Sequence, residues 1–404
     1  MRGKKLSIGL RAVLAIFAGT FLAMTASAGT LKVLHPFNGA EGANPSGVIF
    51  DASGNLYGVA TNGGSADSGL VYELTSNVDG QWKEEILFDF PSRDPGGFLA
   101  NPVVFDSAGN LYGTTGLSQD SAGMVYELSP SAEGRWHQTI LHVLAPNNSE
   151  GAFPDATVTF DTAGNLYSTA MEGGAYSYRD GTVFELSPTT EGGWIDTTLL
   201  SLNGTDGEYV QSNVVFDANG NLYGVASFGG AYGYGTVWEL SPQTGGTWTD
   251  TVLYSFTGGA DGSSPSQGLI FDSAGNLYGT TEGGGLGRGT VFELTPSVGS
   301  WNETVLYSFA GTDDGRKPLS PLMFDAVGNL YGATCYGGKD DDGVVFKLTP
   351  NGGGDWTETL LASFNGKDGS CPSWTFAFDS GGNFYGTTNA GGAYGDGTVF
   401  EIMP

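Results

Sequence analysis

The sequence predicts an all-β fold, a seven-bladed β-propeller with four antiparallel strands per blade. Three observations support this prediction. A pattern close to Phe-Asp-x-x-Gly-Asn-Leu-Tyr-Gly recurs seven times, with its Asp at positions 51, 106, 161, 217, 272, 325 and 379. The steps between these positions are 55, 55, 56, 55, 53 and 54 residues. Each repeat contains four strand-like runs, and such a repeat is typical of a propeller blade.

The first repeat shows how each blade is built. Residues 47–51 and 56–61 predict the first two strands, joined by a turn in which Asp51 accepts backbone N–H groups and Gly54 takes a positive φ. A Gly-Gly loop leads to the third strand at 70–75, and the fourth spans 82–90. We expect packing between blades from the Trp that begins each fourth strand, at Trp82, Trp136, Trp194, Trp248, Trp301 and Trp356.

The two ends of the chain predict how the ring closes. The last repeat stops after its third strand, whereas residues 31–39 match the fourth strands at 252–258 and 305–311. We therefore expect residues 30–37 to pair with residues near 397–402, because a fourth strand supplied from the N-terminus leaves no unpaired edge. This arrangement makes residues 29–404 a single propeller domain.

Residues 1–28 predict a secretory signal peptide, with a basic start, an apolar stretch and a small-residue cleavage site; a single anchor helix is the alternative. The remaining chain keeps 11 basic and 43 acidic residues, a net charge of −32. Such a charge repels phosphate backbones and anionic headgroups, so we expect no nucleic-acid binding and no membrane insertion after signal removal. We expect a secreted monomer in the periplasm, at the cell surface or in the medium.

The repeat resembles a known family. Each unit reads Phe-Asp-x-x-Gly-Asn-Leu-Tyr-Gly and then Gly-Gly, Gly-Thr-Val-Phe-Glu-Leu-x-Pro with local changes, over residues 30–404. This pattern is similar to the GloVer repeat of exported bacterial tandem-repeat proteins, and its first half is similar to NHL-type propellers. The resemblance implies a propeller outside the cytoplasm and implies no activity for named residues.

Catalytic motifs are absent from the sequence. It has no Gly-x-Ser-x-Gly, His-Glu-x-x-His or Cys-x-x-Cys pattern, and its only histidines are His35, His137 and His142. His35 and His142 share one fourth-strand position, where we align Tyr254, Tyr307, Ser201 and Ala362 from other blades. A position that accepts such different side chains indicates packing or surface, so we predict no catalytic residue.

An acidic residue recurs in the link between each fourth strand and the next blade. We expect these links to share a face with the Gly-rich loops between second and third strands, which carry several tyrosines. The candidate ligand-binding residues are therefore Glu41, Asp94, Glu150, Asp206, Asp261, Asp314, Asp368, Tyr232, Tyr336 and Tyr394. Each acid shaping its own turn is the alternative. We expect no cofactor and no dedicated metal site; Ca²⁺ is a candidate only if several loops assemble its ligands.

Cys335 and Cys371 are the only cysteines. They fall in the second strand of blade 6 and the link to blade 7, and the compartment is oxidising. We predict a disulfide between them, which would constrain the unfolded chain by about 3–4 kcal/mol. Two buried free thiols are the alternative.

We interpret the protein as a secreted binding module for an unknown extracellular partner, a glycan or a protein. Acids repeated in every blade favour this reading, since catalysis needs acids special to one or two blades. A carbohydrate-active lyase or hydrolase using carboxylates on the acidic face is one alternative. A structural protein of the cell envelope or matrix is another.

Overall fold

The computed structural model describes residues 29–91, 101–116, 122–144, 150–177 and 179–403. These residues form seven antiparallel sheets that follow one another along the chain as the blades of a propeller. Each blade has four antiparallel strands, which confirms the predicted fold class. None of the described segments is a helix with the length and apolar character needed to cross a membrane.

The strands have the following bounds. The closing strand is β1 (Thr30–Pro36). Blade 1 contains β2 (Ala43–Phe50), β3 (Leu56–Asn62), β4 (Leu70–Ser76) and β5 (Trp82–Asp89). Blade 2 contains β6 (Val104–Phe105), β7 (Leu111–Thr115), β8 (Met124–Pro130) and β9 (Trp136–Val143). Blade 3 contains β10 (Thr159–Phe160), β11 (Leu166–Ala170), β12 (Thr182–Pro188) and β13 (Trp194–Ser201). Blade 4 contains β14 (Val215–Phe216), β15 (Leu222–Ala226), β16 (Thr236–Pro242) and β17 (Trp248–Ser255).

In blades 5 and 6 the first strand is divided into two short segments. Blade 5 contains β18 (Ser263–Pro265), β19 (Ile270–Phe271), β20 (Leu277–Gly283), β21 (Thr290–Ser297) and β22 (Ser300–Ser308). Blade 6 contains β23 (Arg316–Pro318), β24 (Met323–Phe324), β25 (Leu330–Tyr336), β26 (Val344–Pro350) and β27 (Trp356–Ser363). Blade 7 contains β28 (Ser370–Phe378), β29 (Phe384–Ala390) and β30 (Thr398–Met403), and β1 is its fourth strand.

The repeated Asp closes the turn between the first two strands of each blade. In blade 1, Asp51 Oδ1 accepts the backbone N–H groups of Ser53 and Asn55, both at 2.8 Å, and Asp51 Oδ2 accepts the Asn55 amide at 3.0 Å. Gly54 has a φ of 86° at the tip, a conformation that favours glycine. Every blade has an equivalent Asp that accepts in this way. The turn thus explains why Asp, Gly and Asn recur together.

The ring closes through β1, as predicted. β1 pairs antiparallel with β30 from Thr30 opposite Met403 to Pro36 opposite Thr398. The ladder contains one irregularity, between Val33 and His35. Phe37, just beyond β1, is fully buried and packs edge-on against Tyr72 of blade 1. The closing strand therefore completes blade 7 and also contributes to the next interface between blades.

The Tyr of each repeat holds its blade against the following one. Its ring meets the first-strand Phe of the next blade edge-on, and the ring centroids of all seven pairs lie 4.9–5.1 Å apart. In four interfaces the same Tyr also contacts the fourth-strand Trp of the next blade, at 6.4–6.5 Å. These contacts bury the repeated aromatic residues between blades, as predicted.

The Gly that follows this Tyr makes room for a large third-strand side chain. Gly224 lies opposite Trp238, whose side chain is fully buried. A Cβ atom added at Gly224 would collide with the six-membered ring of the indole. Blade 3 differs, since Ser168 stands in place of glycine there, opposite Phe184.

The chain enters six of the blades through a residue in the left-handed region, and the entry to blade 2 lies outside the described residues. These residues are Asn44, Phe153, Tyr209, Ser264, Lys317 and Cys371, with φ between 53° and 58°. The N–H of each donates to a backbone carbonyl in the second-to-third-strand loop of the preceding blade, at 2.8–3.0 Å. A recurring hydrogen bond therefore couples neighbouring blades near these loops.

A disulfide joins Cys335 to Cys371, with their Cα atoms 3.9 Å apart. Cys335 lies in β25 of blade 6. Cys371 lies in β28 itself, one strand position beyond the link in which the sequence placed it. The bridge therefore connects two adjacent blades covalently.

Candidate functional site

The links and the Gly-Gly loops lie on one face of the propeller. The second Gly of five such loops donates its N–H to a link carbonyl, each at 2.9 Å: Gly64 to Gly39, Gly230 to Gly204, Gly285 to Gly259, Gly338 to Thr312 and Gly392 to Gly366. We call the surface formed by these links and loops the loop face. Backbone hydrogen bonds fix it to the blades, so its side chains project from a rigid base.

Most of the candidate acids are engaged in their own links. Asp261 accepts the N–H and hydroxyl of Thr257 at 2.7 and 2.6 Å, and Asp314 accepts the N–H of Ala310 at 2.7 Å. Asp206 and Asp368 accept backbone and amide groups of Asn203 and Asn365 in the same way. These contacts support a turn-forming role for the four aspartates.

Glu41 and Glu150 contact other groups, and Asp206 is also buried. Glu41 accepts a hydrogen bond from the Asn38 amide, and Glu150 lies 3.3 Å from the His142 imidazole. Asp206 is nearly inaccessible to solvent, and burial is the main cause of its raised pKa. Asp94 lies outside the described residues.

Three tyrosines occupy the same position in their loops. Each follows Gly-Gly-Ala, and the side chains of Tyr176, Tyr232 and Tyr394 are 69%, 61% and 64% exposed. Six of the seven repeated tyrosines between blades are, in contrast, buried, and Tyr331 is half-buried. Gly-Gly-Ala-Tyr therefore presents a flat aromatic ring to solvent from blades 3, 4 and 7.

Tyr336 belongs to a different arrangement from these three. The guanidinium of Arg316 lies 4.7 Å from the centre of its ring and also pairs with Asp341 at 2.6 Å. Asp341 in addition accepts the N–H of Gly337 at 2.8 Å. Tyr336 is thus already covered on one side by a cation.

A second set of acids, which the sequence did not reveal, lies at the interfaces between blades. Each stands two residues after a fourth-strand Trp, as Glu84, Asp196, Asp250, Glu303 and Glu358; blade 2 has Gln138 there. Glu303 and Glu358 each have a buried oxygen without a hydrogen-bond partner. Burial, reinforced by Asp261 and Asp314 respectively, raises the pKa of each carboxyl to about 7. Acids at this fixed spacing from Trp are the signal that could have identified them.

The contribution of these two carboxyl groups to stability should fall as the pH rises from 4.5 to about 7. The pKa of Glu303 and Glu358 is 4.5 before folding and about 7 after it. The folded state therefore holds protons that the unfolded state releases between these values, and stability falls across this window. We expect Glu303→Gln with Glu358→Gln to raise the melting temperature at pH 8 by a few degrees and to leave it nearly unchanged at pH 4.5.

Thermal melts at pH 4.5, 6 and 8 would measure this effect. Blade 2 provides the precedent, since Gln138 already occupies the position there. Glu133→Gln, at an exposed acid in a hairpin, is the matched control and should shift neither melt. A double variant with the pH dependence of the unsubstituted protein would contradict the assignment.

Two interfaces have His where two others have Tyr. Tyr254 and Tyr307 donate their hydroxyls to Asp261 and Asp314 at 3.1 and 3.2 Å. His35 and His142 occupy the equivalent position in their blades. Each of these four residues pairs with the valine at the same place in the third strand of its own blade. The equivalent residue in blade 3 is Leu200, which faces Val183. Our alignment of Ser201 with this position was wrong by one residue, because a Leu-Leu pair made both registers plausible.

A small cavity lies where residues in or next to the first strands of six blades meet. Its volume is about 10 Å³, room for about one water. Its lining consists of amides, hydroxyls and apolar groups, including Asn213, Gln267 and Trp374. None of these lining residues is a carboxylate, so this cavity does not support an acid–base site.

The face opposite the loop face carries open grooves between neighbouring blades. One of about 520 Å³ lies between the turns of Asp217 and Asp272 and is bordered by Tyr223 and Trp301. A similar groove lies at the interface of blades 7 and 1. The Asp oxygens there are occupied by the turn hydrogen bonds described above, and the rings are those that hold the blades together.

The chain is similar to solved structures at low sequence identity. The chain is 11% identical to a puromycin-hydrolysing peptidase of Mycobacterium tuberculosis, with a TM-score of 0.55 over 89% of this chain and 52% of the peptidase. The chain thus spans about half the length of that enzyme. It is 14% identical to a PQQ-bound aldose sugar dehydrogenase of Streptomyces coelicolor, covering 93% and 98% of the two chains with a TM-score of 0.44. The likeness to the peptidase concerns the fold alone.

No protein with a curated description matches the sequence. The model of the Gloeobacter/Verrucomicrobia repeat, in contrast, matches residues 14–224 and 212–404. These two matches include all seven copies of the Asp turn and the loops that form the loop face. The chain belongs to the Gloeobacter/Verrucomicrobia repeat family.

Proposed function

We propose that this protein is an exported binding module that recognises a carbohydrate through the tyrosines of its loop face. The observation that carries the proposal is the exposure of Tyr176, Tyr232 and Tyr394 at one position of three loops. A Tyr ring offers flat apolar area with a hydrogen-bonding tip, which suits the apolar face of a sugar ring.

The surroundings of these rings favour recognition with little rearrangement. The Gly-Gly backbone of two of these loops is hydrogen-bonded to a link, at Gly230 and Gly392. Little conformational entropy is then lost when a ligand orders the ring. Three similar rings on one face would also bind a repeating saccharide more tightly than one ring alone.

Charge narrows the class of ligand. The net charge of −28 disfavours anionic polysaccharides and nucleic acids. Neutral sugars and positively charged amino sugars are compatible with this negative electrostatic potential. Added salt should weaken only the binding of the amino sugars, because only they are attracted by the charge. A basic protein partner is the competing occupant, which the following test separates.

The test is binding of the purified protein to an array of neutral, amino and acidic glycans, followed by calorimetry on the best ligand. We expect each single Tyr→Ala substitution at Tyr176, Tyr232 or Tyr394 to weaken binding about 3- to 10-fold. The triple variant should abolish it. Tyr→Phe should retain most of the affinity, because the ring remains.

The matched control replaces exposed apolar residues of the opposite face, Val78, Val298 and Val327, by Ala. These substitutions should leave glycan binding unchanged. Glycan binding that survives loss of all three tyrosines would refute the proposal. An array on which the protein binds no glycan would also refute it. Recovery of a basic protein partner in place of a glycan would support the competing occupant.

A further inference from the structure

The interface between blades 7 and 1 brings an imidazole and two carboxylates together. His35 comes from β1, Glu41 from the following link and Glu84 from β5. His35 Nε2 lies 3.7 Å from Glu84 Oε2, and one ligand atom from each of the three residues lies within 4.8 Å of the others. Three different segments thus converge on one point.

Two of these side chains are buried and incompletely satisfied. The Glu84 side chain is 7% exposed and the His35 side chain 13%. Neither Glu84 Oε1 nor His35 Nε2 has a hydrogen-bond partner. An unsatisfied buried carboxyl beside an unsatisfied imidazole nitrogen is costly, and a bound cation would satisfy both.

We propose that His35, Glu41 and Glu84 bind a divalent transition-metal ion of the Zn²⁺ class. Metal–ligand bonds of about 2.1 Å place tetrahedral ligand atoms about 3.4 Å apart. The 3.7 Å between His35 Nε2 and Glu84 Oε2 is slightly longer, and Glu41 offers an oxygen within 4.8 Å of both atoms, so small side-chain movements would bring the three ligands to an ion. An imidazole ligand favours zinc over Ca²⁺ and Mg²⁺, which prefer oxygen ligands. The Asn38 amide, which donates to Glu41, would orient that carboxylate from outside the coordination shell.

The interface between blades 2 and 3 repeats the set. There His142, Glu150 and Asp196 also offer three ligand atoms within 4.8 Å of one another. The Tyr interfaces lack the imidazole, and their phenol hydroxyl donates to the link Asp instead. We therefore expect metal at the two interfaces that have His at this position and none at the two that have Tyr.

The experiment is a zinc titration of the purified, untagged protein, with metal content measured after dialysis. We expect two equivalents of zinc for the unsubstituted protein. His35→Tyr should remove one equivalent and His142→Tyr the other. Both variants should fold, because Tyr254 and Tyr307 fill this position in other blades.

A converse substitution makes the test sharper. Tyr307→His would place an imidazole beside Asp314 and Glu358, and we expect it to add a third equivalent. Zinc should also raise the melting temperature of the unsubstituted protein by mass action, and less so in His35→Tyr. Calcium should do neither.

Zinc binding that is unchanged in His35→Tyr would overturn the proposed site at blades 7 and 1. Weak binding that no histidine substitution alters would identify surface carboxylates as the ligands instead and would also overturn it. None of these outcomes depends on the carbohydrate-binding proposal, since the metal residues and the loop tyrosines are separate sets.

Discussion

Deletion of residues 29–37 should prevent the propeller from forming a stable monomer. The deletion removes β1, exposes the full length of β30 as an unpaired edge, and empties the buried site of Phe37. Burial of one such side chain contributes about 1.5–3 kcal/mol, and the pairing of six residues is lost in addition. An exposed edge strand next to an apolar surface promotes association with other chains.

Size-exclusion chromatography and thermal unfolding would measure this result. We expect soluble aggregates or insoluble protein and no cooperative transition near that of the full chain. The control is Lys32→Ala, which changes an exposed side chain of β1 and keeps the strand. A monomeric deletion variant with an unchanged melting temperature would show that the ring does not depend on its closing strand.

Gly224→Ser should lower the free energy of unfolding by about 2–3 kcal/mol, because a Cβ at this position collides with the Trp238 ring. Blade 3 suggests the compensating change, since Ser168 lies opposite Phe184 there. Trp238→Phe alone should cost about 1–2 kcal/mol through a cavity. The two changes together should cost less than their sum, because phenylalanine lacks part of the ring that collides. The relief is partial, since a Cβ at Gly279 would still lie 2.6 Å from the ring of Phe292.

Chemical denaturation of the four proteins in this cycle would give the coupling energy. A favourable coupling of about 1 kcal/mol or more is the expected outcome. Additive costs would contradict the proposed packing, since they would mean that the serine and the indole do not compete for the same space.

The fold could be predicted from the sequence because each repeat contains the same short-range sequence patterns. Asp51 and Gly54 specify a turn through interactions within five residues, and residues 31–39 share a pattern with known fourth strands. Such information is local or directly repeated. The closure of the ring could be predicted from this repeated pattern, although β1 and β30 lie at opposite ends of the chain.

The contacts between blades could not be predicted in the same way. Glu84 and His35 meet because two twisted sheets are packed at a particular angle, and periodicity within one blade carries no information on that angle. The left-handed residues at blade entry are also invisible in the sequence. Tyr209, Lys317 and Cys371 share this conformation but no side-chain property, because a backbone hydrogen bond to the preceding blade imposes it.

The antiparallel pairing of β1 with β30 determines how the molecule responds to mechanical tension. Thr30 lies opposite Met403, so a force pulling these two residues apart acts on one end of the ladder. Its residue pairs then separate one after another, as in the opening of a zip, instead of sharing the load. Under tension between its two ends, the propeller should therefore open at the junction of its first and last strands at a lower force than strands loaded in shear would need.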